Sequence, residues 1–256
     1  MKANVFMVLA AGLLLGACSN DNEPTDNANG VAAVFTTNLD GRVQTRMADE
    51  EWAEDDAIGI FSLNNELQGV MIDGVEQSNN AVNLKYTRTP AGTWDGGTTA
   101  FRFKNQTDVT VNFMAYYPYT ADADITDGAG GKKEGTIAFE ATDQSLAGQA
   151  KFDFLFADKD GEGNAPAGSK NSPNVNFQFA HSMTKIIIVL KADGSSVKDL
   201  GTMAPTLKGL KAKGTFSLAN GVAALAGDDK VVDHLLSNQT EATTTATQQT
   251  IVAIVP

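Results

Sequence analysis

Alternation with a period of two is the feature that most constrains this chain. Val109, Val111, Phe113 and Ala115 interleave with Thr110, Asn112, Met114 and Tyr116, and Val175, Phe177 and Phe179 interleave with Asn176 and Gln178. Successive side chains of a strand point to opposite sheet faces, so each run predicts a strand with one buried face. Residues 186–190 are apolar throughout and mostly β-branched, which predicts a strand buried on both faces. Further strands are expected at 31–39, 58–62, 82–86, 152–157, 215–218 and 251–255, with Gly-, Asn- and Asp-rich breaks at 126–131, 158–168 and 192–196. In the first of these, Val31, Ala33, Phe35, Thr37 and Leu39 form the more apolar face and are expected inward. The one candidate for helix is a short turn at 231–236. The fold class is therefore all-β, most simply two β-sandwiches in tandem. A boundary is expected near residues 172–175, where the longest polar, Pro-containing loop ends. It divides the chain into a sandwich over 31–174 and a second over 175–256. The second has about 80 residues where an immunoglobulin-sized sandwich uses about 100, so it is expected to be incomplete at its C-terminal end.

The first residues carry a different signal. Lys2 precedes an apolar stretch from Val5 to Ala17, the layout of a secretory signal peptide over residues 1–17. As a helix that stretch spans about 20 Å, too short for a hydrocarbon core of about 30 Å. It ends on Leu15-Gly16-Ala17-Cys18, which resembles a lipobox, with small residues before the cysteine that receives the lipid. Cys18 is the only cysteine, so no intramolecular disulfide can form, and acylation accounts for an otherwise unpaired thiol on an exported chain. Residues 18–30 are polar and read as a lipidated, disordered tether. The net charge of −12 and pI near 4.5 argue against nucleic acid and against an electrostatic grip on anionic lipid.

Catalytic chemistry finds few components. The two histidines, His181 and His234, have no cysteine or second histidine at ligand spacing, and no G-x-S-x-G elbow, P-loop or dinucleotide fingerprint occurs. No catalytic residue, cofactor or metal is therefore expected, and His181, at a strand end, is read as structural. Asp158 to Asn164 resembles the start of a calcium loop, but its twelfth position is Ser169 where a bidentate Glu is needed, so a solvated hairpin loop is the favoured reading. Trp52, Trp94, Tyr116, Tyr117 and Tyr119 could form a glycan-stacking platform. Core and edge packing is favoured, with one of Tyr116 and Tyr117 facing the core.

Several segments occur in an order that resembles the fimbrillin family. These are the lipobox Cys18, a first strand ending at Leu39, Thr45-Arg46, and Trp52 ahead of Asp56-Ala57-Ile58-Gly59-Ile60-Phe61. Val111-Asn112-Phe113-Met114-Ala115-Tyr116-Tyr117-Pro118, Asp153-Phe154-Leu155-Phe156-Ala157 and Phe179-Ala180-His181-Ser182-Met183-Thr184-Lys185 follow. Gly214-Thr215-Phe216-Ser217-Leu218 and Ile251-Val252-Ala253-Ile254-Val255-Pro256 complete the series. The resemblance implies tandem transthyretin-like sandwiches, exported as lipoproteins to the outer membrane and cell surface, and a non-enzymatic role as a subunit of a pilus, or fimbrium, in cell adhesion. It implies a protease cut after an arginine just past the first strand, here Arg46 with Arg42 as second choice. Loss of that strand opens a groove that a neighbouring subunit fills by strand donation. The expected partners are other pilus subunits, the membrane through the lipid on Cys18, and a surface ligand. The alternative is a monomeric surface lipoprotein that binds glycan through its aromatics.

Overall fold

A computed structural model describes residues 30–40, 52–62, 70–72, 75–76, 83–105, 108–121, 123–127, 133–195, 200, 206–226, 232–236 and 247–256. Strands are numbered β1 to β21 in chain order. The largest sheet runs β2 (Val34–Leu39), β15 (Asn174–His181), β13 (Leu155–Ala157), β9 (Val111–Tyr117), β3 (Ala57–Ser62), β6 (Leu84–Arg88) and β7 (Trp94–Asp95), with β14 (Ala167–Gly168) joined to β9. A second sheet runs β1 (Val31–Ala32), β8 (Phe101–Phe103), β4 (Val70–Ile72) and β5 (Val75–Glu76). A third runs β10 (Asp124–Asp127), β11 (Lys133–Glu140), β18 (Lys213–Ser217) and β19 (Ala223–Leu225). Smaller sheets join β12 (Asp143–Gln144), β20 (Val232–Leu236) and β17 (Thr206–Leu210), and pair β16 (Thr184–Lys191) with β21 (Gln248–Val255). The described helix is confined to the single turn α1 (Leu146–Gln149) and a 3-10 turn at Gly97–Thr99. The all-β expectation holds.

The largest sheet is covered on both faces, and the alternation within its strands sorts the residues. Ile58, Ile60, Val111, Phe113, Ala115, Tyr117, Leu155, Ala157, Val175, Phe177 and Phe179 share one cluster with Phe101 and Phe103 of β8. Phe61, Met114, Tyr116 and Phe156 point the other way, into a cluster with Phe139 of β11 and Phe216 of β18. The inward face predicted for residues 31–39 is observed: Val31, Ala33 and Phe35 are buried, whereas Thr36 and Asn38 are exposed.

Several expectations are corrected. β9 is buried on both faces, because Met114 and Tyr116 meet the third sheet instead of water. Tyr116 and Tyr117 are therefore both core residues, on opposite sides. β16 is the reverse case. Among the described residues it pairs only with β21; Ile186, Ile188 and Leu190 pack on Ile251, Ala253 and Val255, while Ile187 and Val189 are 52% and 48% exposed. Residues 232–236 form a strand, parallel to β12 and antiparallel to β17, not a helical turn. Thr126 belongs to β10 and not to a break, and the strand expected from 152 begins only at Leu155. The boundary expected at 172–175 falls at the start of β15, which lies between β2 and β13 in one sheet.

β21 carries an unusual edge. Gln144 donates through Nε2 to the Ile254 and Ala141 carbonyls (3.0 and 2.8 Å), and its Oε1 accepts the Ile254 N–H (3.0 Å). The side-chain amide thus makes the paired donor and acceptor bonds that a neighbouring strand residue makes. Gln149 Nε2 lies 3.1 to 3.2 Å from Gln144 O, Gln144 Oε1 and Val252 O. Both glutamines are buried.

Candidate functional site: the seam closed by the first strand

Residues 31–39 close two sheets at once. Val31 and Ala32 pair with Phe103 and Arg102, which makes β1 the terminal strand of its sheet. The chain then crosses over. Ala33 N–H donates to Phe101 O (3.0 Å), Val34 N–H donates to Pro173 O (3.0 Å), and Val34 to Leu39 run parallel to Asn174 to Phe179 as the terminal strand of the largest sheet. The segment is therefore the seam between two facing sheets.

Its inward face explains why it stays there. Phe35 is 4% exposed and lies in a box of four rings: Tyr86 at 5.0 Å, Phe113 at 5.3 Å and Phe101 at 6.2 Å edge-on, and Phe177 stacked at 5.6 Å. Burying a large apolar side chain contributes about 1.5–3 kcal/mol, and edge-to-face aromatic geometry adds to that. Arg102 donates from Nη2 and Nε to Gly30 O (2.7 and 3.2 Å), ahead of the strand. Towards the other end Trp94 Nε1–H donates to Thr37 Oγ1 (3.0 Å), and Asp40 N–H donates to Phe179 O (2.8 Å). On the outer face Thr36 Oγ1 and Asn38 Nδ2 both donate to Asn176 Oδ1 (3.3 and 3.2 Å). Trp52 packs edge-on against Trp94, Tyr117 and Phe179, next to the half-buried Leu39.

Tyr86 also anchors the box. Its hydroxyl accepts the Phe101 N–H at 2.8 Å, and burial pushes its ionisation well above the usual tyrosine range. Asp56 accepts the Ala53 N–H and the Tyr117 hydroxyl; desolvation is the largest influence on it and raises its carboxyl above the ordinary value.

The other sequence candidates fall elsewhere. Cys18, Arg42 and Arg46 lie outside the described residues, which stop at Asp40 and resume at Trp52. His181 ends β15 with Nδ1 3.3 Å from the buried Asp153 carboxylate, and His234 lies in β20. Asp160 Oδ1 accepts the N–H groups of Glu162 and Asn164 (both 2.9 Å), and the Asn164 amide above all holds its carboxyl below the ordinary range. That carboxylate is thus engaged with its own loop, as in a hairpin turn. The five aromatics form no single platform: Trp52, Trp94 and Tyr117 join one core cluster, whereas Tyr116 and Tyr119 join the cluster on the opposite face. Tyr86 lies in the strand expected at 82–86 but was not singled out as a site residue, and for Phe101 and Arg102 the one signal was the short alternation Phe101-Arg102-Phe103.

Comparison with known proteins agrees with this architecture. Residues 45–256 match a family described as fimbrillin-like, so the first strand lies outside the matched region. Over 214 residues the chain is 31% identical to a Bacteroides uniformis protein named "Putative fimbrium subunit Fim1C", a match that covers 80% of this chain and 61% of that protein. The chain thus spans about three fifths of the length of that relative. A crystal structure of a "putative cell adhesion protein" from Bacteroides uniformis superposes with a TM-score of 0.58 at 21% identity, over 87% of this chain and 74% of that one. Another so described, from Bacteroides ovatus, gives 0.54 at 22% identity over 88% and 79%. These two show a shared fold. The family match over most of the sequence, together with the all-β architecture, establishes that the chain belongs to the fimbrillin-like family.

Proposed function

We propose that this chain is a structural subunit of a cell-surface fimbrium with a role in adhesion, exported as a lipoprotein on Cys18 and assembled by protease-triggered strand exchange. The observation that carries the proposal is the seam. A single terminal segment closes two sheets, buries its apolar face among rings supplied by distant strands, and leads directly into the stretch that contains Arg42 and Arg46. A cut after Arg46 leaves that segment held only noncovalently. Its departure exposes the backbone edges of β8 and β15 and the ring box, a template for an added strand. Other fimbrial subunits supply the replacing strand, and the lipid holds the unprocessed chain to the outer membrane.

Two experiments test this. Brief exposure of the folded protein to an arginine-specific protease is expected to give a new N-terminus at Met47, or at Val43 if Arg42 is preferred, because Arg42 and Arg46 are the only basic residues between Lys2 and Lys85. Recovery of uncut chain, or of chain cut only at Arg88 or beyond, would refute the processing step. Cys18→Ala is expected to abolish incorporation of labelled palmitate and to release the protein from the membrane fraction; continued labelling would disprove the anchor.

A further inference from the structure

The seam recognises more than an edge. We propose that it selects its strand by a two-point code: an aromatic residue for the ring box and, two positions later on the same face, a serine or threonine hydroxyl for the Trp94 indole. The proposal rests on the strand-exchange reading above and identifies the chemistry of the strand that exchange must deliver.

Ladder hydrogen bonds to β15 carry no sequence information, since every residue but proline offers the same backbone donor and acceptor. Selectivity has to come from side chains, and because the outer-face contacts of Thr36 and Asn38 to Asn176 are exposed to water, the inner face carries most of it. Two of those contacts are specific in chemistry and not only in size. Phe35 is surrounded edge-on by Tyr86, Phe101 and Phe113 and stacked on Phe177, an arrangement that presents ring edges to a ring and leaves a branched aliphatic group under-filled. Trp94 is buried, and its Nε1–H, a donor with no alternative acceptor role, points at Thr37 Oγ1 at 3.0 Å. A strand with an aliphatic residue at that position leaves the indole N–H facing a methyl group. Rejection of a partner that lacks the hydroxyl is stronger than the bond itself is favourable, because the unpaired donor stays buried.

The pattern is rare enough to discriminate. Of the 13 Phe, 4 Tyr and 2 Trp residues of this chain, only Phe35 has a serine or threonine two residues later. None of the other strands in the sequence can therefore satisfy both points. The occupant that replaces residues 31–39 is a strand of a neighbouring subunit that carries aromatic-x-Ser/Thr, with apolar residues at the places of Val31, Ala33 and Leu39.

The code can be read in the uncut full-length chain, independently of exchange. Hydrogen–deuterium exchange of residues 31–39 and 174–181 is expected to be about tenfold faster in Thr37→Val than in wild type, and near wild type in Thr37→Ser, which keeps the hydroxyl. In a Trp94→Phe background, Thr37→Val should have little further effect, because the donor is already gone. Phe35→Leu should accelerate exchange in both backgrounds. Equal protection in Thr37→Val, Thr37→Ser and wild type, or full additivity with Trp94→Phe, overturns the code. A second arm addresses delivery: a labelled peptide of residues 30–40 is offered in excess to the full chain cut after Arg46. Retention of the wild-type peptide, with about tenfold faster release of the same peptide carrying Thr37→Val, supports the code for incoming strands. Equal retention of the two overturns it. If no peptide of either sequence enters while the uncut chain shows the Thr37–Trp94 coupling, the code stands for the resident strand and the exchange reading is the one that fails.

Discussion

Phe35→Ala is expected to destabilise the protein by about 3–5 kcal/mol in urea-induced unfolding, the range for truncating a buried phenylalanine. The side chain is 4% exposed and touches rings from four strands, β6, β8, β9 and β15. Those rings cannot collapse into the space. Tyr86 is fixed by its hydroxyl on the Phe101 N–H, and Phe113 and Phe177 sit in the middle of paired strands. The cavity term therefore adds to the lost transfer energy. Phe35→Leu keeps much of the volume and should cost less. Because residue 35 lies on a terminal strand, part of the loss should appear as early release of that strand, seen as loss of hydrogen-exchange protection in 31–39 before the global transition. A Phe35→Ala protein within about 1 kcal/mol of wild type would mean that the box does not hold the strand.

Gln149→Glu is expected to cost about as much, 3–5 kcal/mol near neutral pH, roughly the penalty for an uncompensated buried charge. The substitution barely alters shape. It replaces an Nε2 donor that faces three oxygens, Gln144 O, Gln144 Oε1 and Val252 O, with a carboxylate oxygen facing the same three. Burial and oxygen neighbours both favour the neutral acid, so the folded state raises the pKa of the introduced carboxyl. The sign follows: the folded variant binds the proton more tightly than the unfolded chain, so its stability falls as pH rises from the ordinary carboxylate range towards the raised value. Relative to wild type the variant should therefore recover as pH is lowered, since the introduced carboxyl, once protonated, can again donate. Gln149→Leu has no such pH dependence. Urea midpoints at neutral and at mildly acid pH separate the two variants, and a pH-independent difference would show that the amide is not directed at those oxygens.

The same residues show what a one-dimensional pattern can and cannot reveal. The inward faces of 35–39 and 175–179 were legible because each alternates against polar residues that are at least partly in water. β9 misled because Met114 and Tyr116 suit either a rim or a core, and only the long-range arrival of β11 and β18 decides between them. β16 misled in the opposite sense: an unbroken apolar run has no period, so it cannot state how many of its faces are covered. Residues 231–236 place apolar groups around a helical turn, but pairing with β12 and β17 overrides so short a signal. For the seam, the strand was readable and its receptacle was not. Phe35, Tyr86, Phe101, Phe113 and Phe177 come from five separate strands, and nothing local announces that their rings meet. Gln144 and Gln149 lie in a segment with no apolar period, and nothing local announces that both amides are buried against the backbone of β21.

The parallel sense of β2 and β15 has a mechanical consequence. The register runs from Val34 opposite Asn174 to Leu39 opposite Phe179, so both strands advance in the same direction. Tension that draws back on the chain before Val34, while the body is held through the residues after His181, pulls the two strands past each other. Every rung then carries load together, and detachment requires them to fail as a group. An antiparallel pair gripped at the same two ends would open one rung at a time. The ladder is thus stiff against axial shear and weak against peeling, in which one end is lifted sideways and the rungs are surrendered in turn. A competing strand that enters at one end works by peeling, so it can remove under no load a segment that steady pulling along the strand would leave in place.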